Sequence, residues 1–346
     1  MKIADFVQKY DLQNQFEVLI NSYKQIEFAW KNIFSLGPLK RKKFNSIVVT
    51  GLGGSAISAD LVQNFLSDEL KIPFIVNRNY SLPTSFSEKT LLIVSSYSGN
   101  TEETISVFKE ALKKTSNIIC ITTGGIIEKT AARQKIPVVK VLTGFQPRYA
   151  LGLSFFSLLK VLQELEIIPD QSRTVKKVIK LWKEAGEDFS SEQNYAFKCA
   201  EKIVGHVPVI YAASDLTAAV GYRLKCQFNE NSKLHAFVNQ IPELNHNEIV
   251  GWESFSEKQM SAVLINVLDK NYHPQIKKRF QVTSEIALKN KIDIISLEST
   301  QKEFKLRLMD LVYLCDWISY YTAIIRGYDP SEIDNIDYLK KKLSGN

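Results

Sequence analysis

The sequence predicts an α/β fold with two doubly wound parallel sheets, one in each half of the chain. Short apolar runs alternate with helical stretches along most of the chain, a pattern typical of a parallel sheet covered by helices on both faces. The chain has 346 residues, and a chain of this length more often forms two domains than one. We therefore expect an N-terminal domain over residues 1–150 and a C-terminal domain over residues 151–346.

The first half begins with apolar residues at helical spacing over residues 4–34, which predict a helix. A second helix is expected to follow a glycine-rich loop and to end near Phe65, and a third to span about 101–113. Short runs rich in Ile, Val and Leu separate these helices and predict strands buried on both faces. The predicted strands are 47–50, 73–76, 90–94, 118–121 and 138–141.

The second half repeats this alternation after a long helical section, which is predicted from about residue 150 to 204 with a break at Pro169. Ser214 is expected to cap a helix that ends near Phe228, and Pro274 to open another at a first-turn position that tolerates proline. A long helix over 304–325 and a short final helix are also predicted. The predicted strands are 208–211, 234–238, 262–268 and 292–297.

Composition excludes several classes of protein. The apolar fraction is 45% and the net charge is +7, a weak bias for this length that predicts neither nucleic-acid binding nor a membrane surface but suits a small anionic substrate. The four cysteines are scattered and form no CxxC pair, so we expect no zinc site or disulfide framework, and a reducing cytoplasm. No continuous apolar stretch approaches 18 residues, and the start lacks the pattern of a signal peptide.

The glycine loop, Gly51-Leu52-Gly53-Gly54-Ser55-Ala56, follows the first predicted strand and allows two functional interpretations. It matches the loose dinucleotide pattern G-x-G-x-x-A, but that pattern also requires an acidic residue about twenty residues later. The next strand ends in Asn77-Arg78, whose arginine leaves open only a cofactor with a 2′-phosphate. Alternatively, the glycines allow backbone N–H groups to approach an anion at a helix N-terminus. A tight turn without a ligand also fits this loop.

The serine loop, Ser96-Tyr97-Ser98-Gly99-Asn100-Thr101, follows another apolar strand and precedes a helix. Asn100 is expected to be the N-cap of that helix, with Glu103 closing a capping box. In a parallel sheet this loop and the glycine loop lie at the same carboxyl edge, where ligands of open α/β sheets bind. The serine loop contains no lysine and no acid, unlike a Walker loop, which suits a phosphate that is held and not transferred.

The serine loop resembles the phosphate loop of sugar isomerase (SIS) domains, and two such domains in one chain are similar to the phosphoglucose isomerase superfamily. Further stretches narrow the resemblance to the bifunctional phosphoglucose/phosphomannose isomerase family. These stretches, in family order, are Gly53-Gly54-Ser55, Gln146-Pro147-Arg148, Asn229-Glu230-Asn231-Ser232-Lys233 and Asn245-His246-Asn247-Glu248.

This resemblance implies two SIS domains of the flavodoxin-like or Rossmann-like type and a homodimer with a shared active site. It implies reversible aldose–ketose isomerisation of a hexose 6-phosphate, with no metal and no organic cofactor. Glu230 would be the base, Arg148 would stabilise the intermediate, His246 would assist ring opening, and Lys340 would match a C-terminal active-site lysine. The residues that would hold the phosphate are Gly54, Ser55, Ser96, Ser98 and Thr101.

The chemistry of such a reaction suits these residue types. Proton transfer between C1 and C2 needs a carboxylate base, a developing enediolate needs a charged donor such as arginine, and histidine can move the ring-opening proton near neutral pH. Of the four histidines only His246 lies in a polar loop, and we expect the others to be structural. Two alternatives stay open: an SIS-type regulatory module that binds a phosphosugar without catalysis, and an NADP-dependent dehydrogenase.

Overall fold

The computed structural model describes residues 2–257 and 261–343, and the chain divides into two compact units. The first unit is Asn21–Lys183, and the second combines Met1–Ile20 with Glu184–Asn346. This division differs from the predicted boundary at residue 150. That the phosphate-binding loops belong to a domain over 1–150, and the catalytic base and ring-opening residues to one over 151–346, stays a prediction. Each unit contains one parallel sheet, as predicted.

The predicted helix over 4–34 is three helices: α1 (Ile3–Tyr10), α2 (Gln15–Ile20) and α3 (Ser22–Lys31). Asp11 interrupts the first pair because its carboxylate accepts the backbone N–H groups of Gln15 at 2.8 Å and Phe16 at 2.7 Å. A side-chain acceptor that caps a new helix in this way competes with continuation of the old one. The uninterrupted helix predicted from periodicity alone was therefore wrong.

The first unit contains a five-stranded parallel sheet with strand order β2-β1-β3-β4-β5, and all of the strands predicted for this half are confirmed. The central strands are buried over almost their whole length because helices cover both faces, which explains their continuous Ile, Val and Leu runs. The strands are β1 (Ser46–Thr50), β2 (Phe74–Asn77), β3 (Thr90–Ser95), β4 (Ile118–Thr122) and β5 (Val138–Lys140).

The first unit also contains α4 (Gly54–Phe65), α5 (Glu102–Ala111), α6 (Gly125–Arg133) and α7 (Leu151–Glu164). Sequence reasoning missed α6, whose beginning at two glycines hides its helical pattern. α7 packs on α3 at Gly152, where an added Cβ would lie 2.8 Å from the Gln25 Cβ. This close packing explains why the segment after residue 150 belongs with the first sheet.

The second unit contains a four-stranded parallel sheet with strand order β7-β6-β8-β9. The strand predicted over 234–238 begins later than expected because residues 231–235 close the preceding helix: the Leu234 N–H donates to the Phe228 carbonyl, and Lys233 has a left-handed φ of 49°. The strands are β6 (Val207–Ala213), β7 (Phe237–Ile241), β8 (Ala262–Leu268) and β9 (Asp293–Glu298).

The long helical section between the sheets consists of α7, α8 (Ser172–Ser190) and α9 (Tyr195–Ile203). The later helices are α10 (Ala218–Glu230), α11 (Pro274–Lys289), α12 (Phe304–Ile325) and α13 (Asp334–Leu343). α12 has the predicted bounds and lies in the core, where the Tyr313 hydroxyl donates to the Leu19 carbonyl at 2.6 Å. By length and composition α12 alone among the helices of the described chain could cross a membrane, and 89% of its most apolar window is buried inside the fold.

Candidate functional site

The first sheet has a topological switch point between β1 and β3. Strand β2 lies on one side of β1, and the chain then crosses to the other side to form β3. The loops after β1 and β3 touch at the carboxyl edge, because a Cβ added at Gly51 would lie 2.6 Å from the Ser95 carbonyl oxygen. Open α/β sheets bind ligands in the crevice at such a point, and both predicted phosphate loops border it.

The glycine loop brings backbone N–H groups to this crevice. Gly53 is the N-cap of α4 and adopts φ +52°, a left-handed conformation that favours glycine, and Gly54 is the first helical residue. The first N–H groups of a helix have no intrahelical acceptor and form the positive end of its dipole. The Ser55 side chain is buried in this first turn. The Ser55 N–H donates to the Leu52 carbonyl at 3.2 Å, and the positive end of α4 lies at the carboxyl edge of the sheet.

The serine loop is held in one conformation by its own hydroxyls. Ser96 Oγ lies 2.9 Å from Thr101 Oγ1 and accepts the Gly99 N–H at 3.1 Å. Ser98 Oγ accepts the Asn100 N–H at 3.2 Å. Gly99 has φ +68°, and a Cβ there would lie 1.8 Å from the Gly124 carbonyl oxygen, so no other residue fits.

The N-cap of α5 is Thr101, so the prediction of Asn100 as N-cap, with a capping box to Glu103, was wrong. The Asn100 side chain instead accepts the backbone N–H of Ile126 at 3.0 Å, across the edge of the sheet. The Asn100 side-chain oxygen, which the local sequence pattern predicts to cap α5, is therefore used in a tertiary hydrogen bond. Thr101 stands at the beginning of α5, and its hydroxyl contacts Ser96 Oγ and makes no capping hydrogen bond.

Tyr97 braces the serine loop against the neighbouring segments, and sequence reasoning missed this role. Its carbonyl accepts the Thr123 N–H at 3.0 Å and the Thr123 hydroxyl at 2.6 Å, while its phenol oxygen accepts the Phe145 N–H at 3.0 Å. Burial raises the pKa of Tyr97, so the phenol stays neutral. In the sequence, only its position between Ser96 and Ser98 indicated that Tyr97 belongs to the loop.

Arg148, the residue predicted to stabilise the intermediate, follows a proline that packs on the glycine loop. It is buried in the short 3₁₀ helix Pro147–Tyr149, and its guanidinium carbon lies 5.6 Å from the centre of the Tyr149 ring. The carbonyl oxygen of Pro147 would be 2.7 Å from a Cβ at Gly54, so this segment packs directly on the start of α4. The first unit thus brings together the arginine segment and both phosphate loops.

Arg78 forms an ion pair with Asp60 on α4. This arginine was the sequence feature compatible with binding of a dinucleotide that carries a 2′-phosphate. Burial raises the pKa of Asp60, and Arg78 opposes that shift by stabilising the carboxylate. This arginine neutralises a half-buried acid of its own unit. The environment of Arg78 therefore gives no support to the dinucleotide interpretation.

Glu230 is the last residue of α10 and is half-buried. The helix begins at Thr217 as N-cap, so the prediction of Ser214 in that role was wrong: the Ser214 hydroxyl donates to the Ile241 carbonyl. The turn after Glu230 is fixed to α12, because Asn231 donates to Ser319 Oγ at 3.0 Å and the Ser232 hydroxyl donates to the Ser319 carbonyl at 2.7 Å. The backbone next to the predicted base is thus rigidly supported.

A buried polar cluster supports the helix that ends at Glu230. Arg223 donates to both carboxylate oxygens of Asp316 at 2.8 Å, and Gln227 donates to one of them at 2.9 Å. Burial raises the pKa of Asp316, and Arg223 opposes that shift. Arg223, Gln227 and Glu230 have i, i+4 and i+7 spacing and therefore share one face of α10. Sequence reasoning missed Asp316, the partner of Arg223 and Gln227, although an acid within an apolar helix such as α12 is a signal of pairing.

His246 is exposed at the end of the 3₁₀ helix Glu243–His246, in the segment that connects β7 and β8. The other histidines occupy structural positions. His206 Nδ1 lies 2.7 Å from Ser261 Oγ, His273 is the N-cap of α11, and the His235 ring packs edge-on against Phe237.

Lys340 lies in the last turn of α13, where it is exposed and its Nζ is 3.5 Å from an Asp337 carboxylate oxygen. Glu230, His246 and Lys340 therefore all lie in the second unit, each on a different element. None of these three side chains lines the cavity of about 380 Å³ that lies between α11 and the ends of β8 and β9. Within residues 2–257 and 261–343, no cluster of three metal-ligating side chains is present.

The second sheet has a switch point of the same kind, between β6 and β8, but side chains fill it. The Tyr272 hydroxyl donates to the Val267 carbonyl at 2.8 Å and is hydrogen-bonded to Thr217 Oγ1, which in turn accepts the Ala213 N–H at 3.0 Å. The Tyr272 ring stacks on Phe280 with centroids 5.5 Å apart. Burial strongly raises the pKa of Tyr272, which keeps the hydroxyl protonated as a donor.

Comparison with known proteins places the chain in a class. A SIS-domain family model matches residues 40–137, and the model of the bacterial phospho-glucose isomerase C-terminal SIS domain matches residues 192–343. The structure of a hypothetical protein from Thermus thermophilus has a TM-score of 0.76 over 99% of this chain and 92% of that one, at 14% identity, which shows the shared fold. The chain is thus a protein with two SIS domains.

Sequence relatives narrow this class to one family. The bifunctional phosphoglucose/phosphomannose isomerase of Caldicellulosiruptor bescii is 37% identical over 339 residues, which cover 95% of this chain and 98% of that protein. The protein of the same description from Aquifex aeolicus is 33% identical over 96% of this chain and 99% of its own length. This chain belongs to the bifunctional phosphoglucose/phosphomannose isomerase family, which confirms the resemblance seen in the sequence.

Proposed function

We propose that this enzyme interconverts glucose 6-phosphate and mannose 6-phosphate with fructose 6-phosphate through an enediolate, without a metal or organic cofactor. The observation that carries the proposal is the pair of adjacent loops at the first switch point, in a chain of this family. Both loops present hydroxyls and helix N-termini to one crevice, the environment that binds a phosphate. An isomerase needs such an anchor because the 6-phosphate takes no part in the reaction.

The phosphate site in this proposal consists of Gly54, Ser55, Ser96, Ser98 and Thr101. Backbone and hydroxyl donors hold the dianion, while neither loop contains an acidic residue that would repel it. Their fixed conformation means that little ordering is needed when the substrate binds, which improves the positioning of the distant C1 and C2 atoms. The binding energy of the phosphate thereby contributes to catalysis at the other end of the sugar.

The catalytic groups in the proposal are Glu230, Arg148, His246 and Lys340. His246 helps to open the pyranose ring: the C1–O5 bond breaks, the C1 hydroxyl loses its proton and O5 gains one. Glu230 removes the proton from C2 of the open aldose and returns it to C1, while Arg148 stabilises the negative charge that develops on the oxygens. In this proposal the positive charge of Lys340 also helps to stabilise these oxygens.

Activity on both aldoses follows from the same chemistry. Removal of the C2 proton erases the only stereocentre that distinguishes glucose 6-phosphate from mannose 6-phosphate. A single enediolate therefore connects both aldoses with fructose 6-phosphate, and rotation about the C2–C3 bond decides which face is protonated. We further propose a homodimer in which the active site is shared between subunits, and a cytoplasmic location.

An assay with both aldose substrates tests the proposal. The protein is incubated with glucose 6-phosphate or mannose 6-phosphate in the presence of EDTA, and fructose 6-phosphate is measured. We expect turnover of both, and failure with both would contradict the proposal. Retained binding without turnover would instead indicate a phosphosugar-sensing module, and loss of activity only on chelation would indicate a metal-dependent reaction.

The variant Glu230→Gln tests the assignment of the base. The amide keeps the size of the side chain but cannot accept a proton, so we expect kcat to fall by about 10³-fold or more. Binding of the phosphate group is expected to be unchanged. Full activity in this variant would show that another residue is the base.

A further inference from the structure

The segment that carries His246 is unusually well anchored although the histidine itself is exposed. It follows β7 and contains the 3₁₀ helices Glu243–His246 and Glu248–Glu257. Long connections of this kind are often functional, and a side chain on such a connection must be held in place by its neighbours. The contacts of those neighbours show which residue does so.

Glu248 ties this segment to two adjacent strands through a single carboxylate. The Tyr211 hydroxyl, on β6, donates to Glu248 Oε1 at 2.9 Å, and the Asn239 amide, on β7, donates to Oε2 at 2.5 Å. Hydrogen bonds to a carboxylate are roughly twice as strong as those between neutral groups. Because β6 and β7 pair directly, with Tyr211 opposite Asn239, the carboxylate connects the segment to a rigid platform formed by these two strands.

The platform is part of the core of the second unit. Tyr211 is completely buried, and its ring meets Trp252 edge-on at a centroid distance of 5.9 Å. Trp252 lies in the same 3₁₀ helix as Glu248, so the polar bond and the aromatic contact fix the same short helix. Burial, reinforced by the negative charge of Glu248, raises the pKa of Tyr211, so its hydroxyl remains a donor.

A second anchor lies on the other side of the histidine. Asn245 donates to Thr283 Oγ1 at 2.9 Å and accepts a long hydrogen bond of 3.4 Å from Arg279, both on α11. His246 therefore stands between two tethered positions, Asn245 and Glu248. The Glu248 anchor is the stronger of the two because both carboxylate oxygens accept hydrogen bonds of 2.9 Å or less and its tyrosine partner is fully buried.

We propose that Glu248 is a positioning residue for His246, holding the imidazole where it can serve the ring-opening step. This inference rests on the proposed function, in which His246 opens the sugar ring. Glu248 is not assigned a proton transfer of its own, because both of its oxygens already accept hydrogen bonds from Tyr211 and Asn239. Its role is to limit the conformations of the segment.

Two substrates distinguish this role from a general structural one. Glucose 6-phosphate must be opened before isomerisation, whereas 5-deoxyfructose 6-phosphate has no hydroxyl that can close a ring and is always open. For the open-chain sugar the measured reaction is exchange of a C1 proton with deuterium oxide, which needs the base but no ring opening. A defect in ring opening therefore affects only the first substrate.

For Glu248→Ala we expect kcat on glucose 6-phosphate to fall by about 10- to 100-fold, because a misplacement of the order of 1 Å is costly. Exchange with the open-chain sugar is expected to stay within about threefold of the wild-type rate. Glu248→Gln, which keeps the side-chain volume and one acceptor, should give a smaller defect of the same selectivity. Glu201→Ala, an exposed acid on α9, is the matched control and should change neither reaction.

His246→Ala separates this inference from the proposed function on which it rests. If His246→Ala is selective for the cyclic substrate and both Glu248 variants are not, Glu248 is not a positioning residue while the proposed function stands. If His246→Ala itself shows no selectivity, the ring-opening role of His246 is wrong. Equal losses on both substrates in the folded Glu248→Gln variant would overturn the inference in favour of a general structural role.

Discussion

The first four strands of the first sheet and the four strands of the second have the same order, but different side chains lie at their carboxyl edges. In the first unit, the loops after β1 and β3 are rich in glycine and serine and lead into the N-termini of α4 and α5. In the second unit, Tyr272 and Thr217 occupy the corresponding place and satisfy each other and the ends of the strands. Both sheets have a switch point, and we propose that only the first one binds an anion.

Charged residues near the ends of the strands also differ between the two units. After β8 the chain places Asp269, whose carboxylate is held by buried Arg307 at 2.7 Å, where the first unit has uncharged serines after β3. The Arg307 guanidinium is occupied by Asp269 and by the Lys302 carbonyl, contacts that stabilise the fold locally. The topology of a doubly wound sheet therefore suggests where a ligand can bind, and the loop side chains determine whether it does.

Of the variants that test this comparison, Gly99→Ala should have the largest effect, because it adds a Cβ at a left-handed residue against the Gly124 carbonyl. We expect kcat/KM for glucose 6-phosphate to fall by about 100-fold or more as the serine loop is displaced. The control is Gly205→Ala in the second unit, which has φ +90° and no atom within 4 Å of the added Cβ. That variant should lose about 1–2 kcal/mol of stability and keep its kcat/KM. Equal kinetics in both variants would show that the loop geometry is unimportant.

Asp316→Ala should destabilise the second unit by about 3–5 kcal/mol, because it leaves the buried Arg223 charge without its partner. Urea unfolding measures this loss. The double variant Arg223→Ala/Asp316→Ala should lose less than the sum of the single variants, since the uncompensated charge is then removed as well. Additive losses would show that the two side chains do not act as a pair.

Ser96→Ala should weaken substrate binding in the first unit by removing a hydroxyl that also orders Gly99 and Thr101. We expect KM for glucose 6-phosphate to rise by about 10- to 100-fold, in line with the cost of a lost hydrogen bond to a charged group. The value of kcat should change little because the hydroxyl is remote from C1 and C2. A fall in kcat at constant KM would place Ser96 near the reacting carbons instead.

Tyr272→Phe should have the smallest effect on function. Loss of the hydroxyl removes the bonds to Val267 and Thr217 and should cost about 1–2 kcal/mol of stability. KM for glucose 6-phosphate should be unchanged, because the second switch point has no assigned role in phosphate binding. A rise in KM with unaltered thermal stability would show that this edge of the second sheet contacts the substrate.

The strands, and the positions of the glycine and serine loops after β1 and β3, were predicted well because their signals are local. Apolar runs followed by glycines or serines need no knowledge of distant contacts. The errors arose where a distant or unexpected partner decides the structure: Asn100 serves Ile126 and not its own helix, and Asp11 begins a new helix by capping α2. The supports of the site, Tyr97, Asp316 and Glu248, were missed for the same reason, since their partners are far away in the sequence.

The most direct test of the account is a crystal structure of the enzyme with glucitol 6-phosphate, an open-chain polyol phosphate that cannot isomerise. We expect its phosphorus atom to lie between the glycine and serine loops, with Ser96, Thr101 and the first-turn N–H groups of α4 and α5 within hydrogen-bonding distance. A phosphate bound at the Tyr272 edge of the second sheet, with the crevice between β1 and β3 empty, would contradict it.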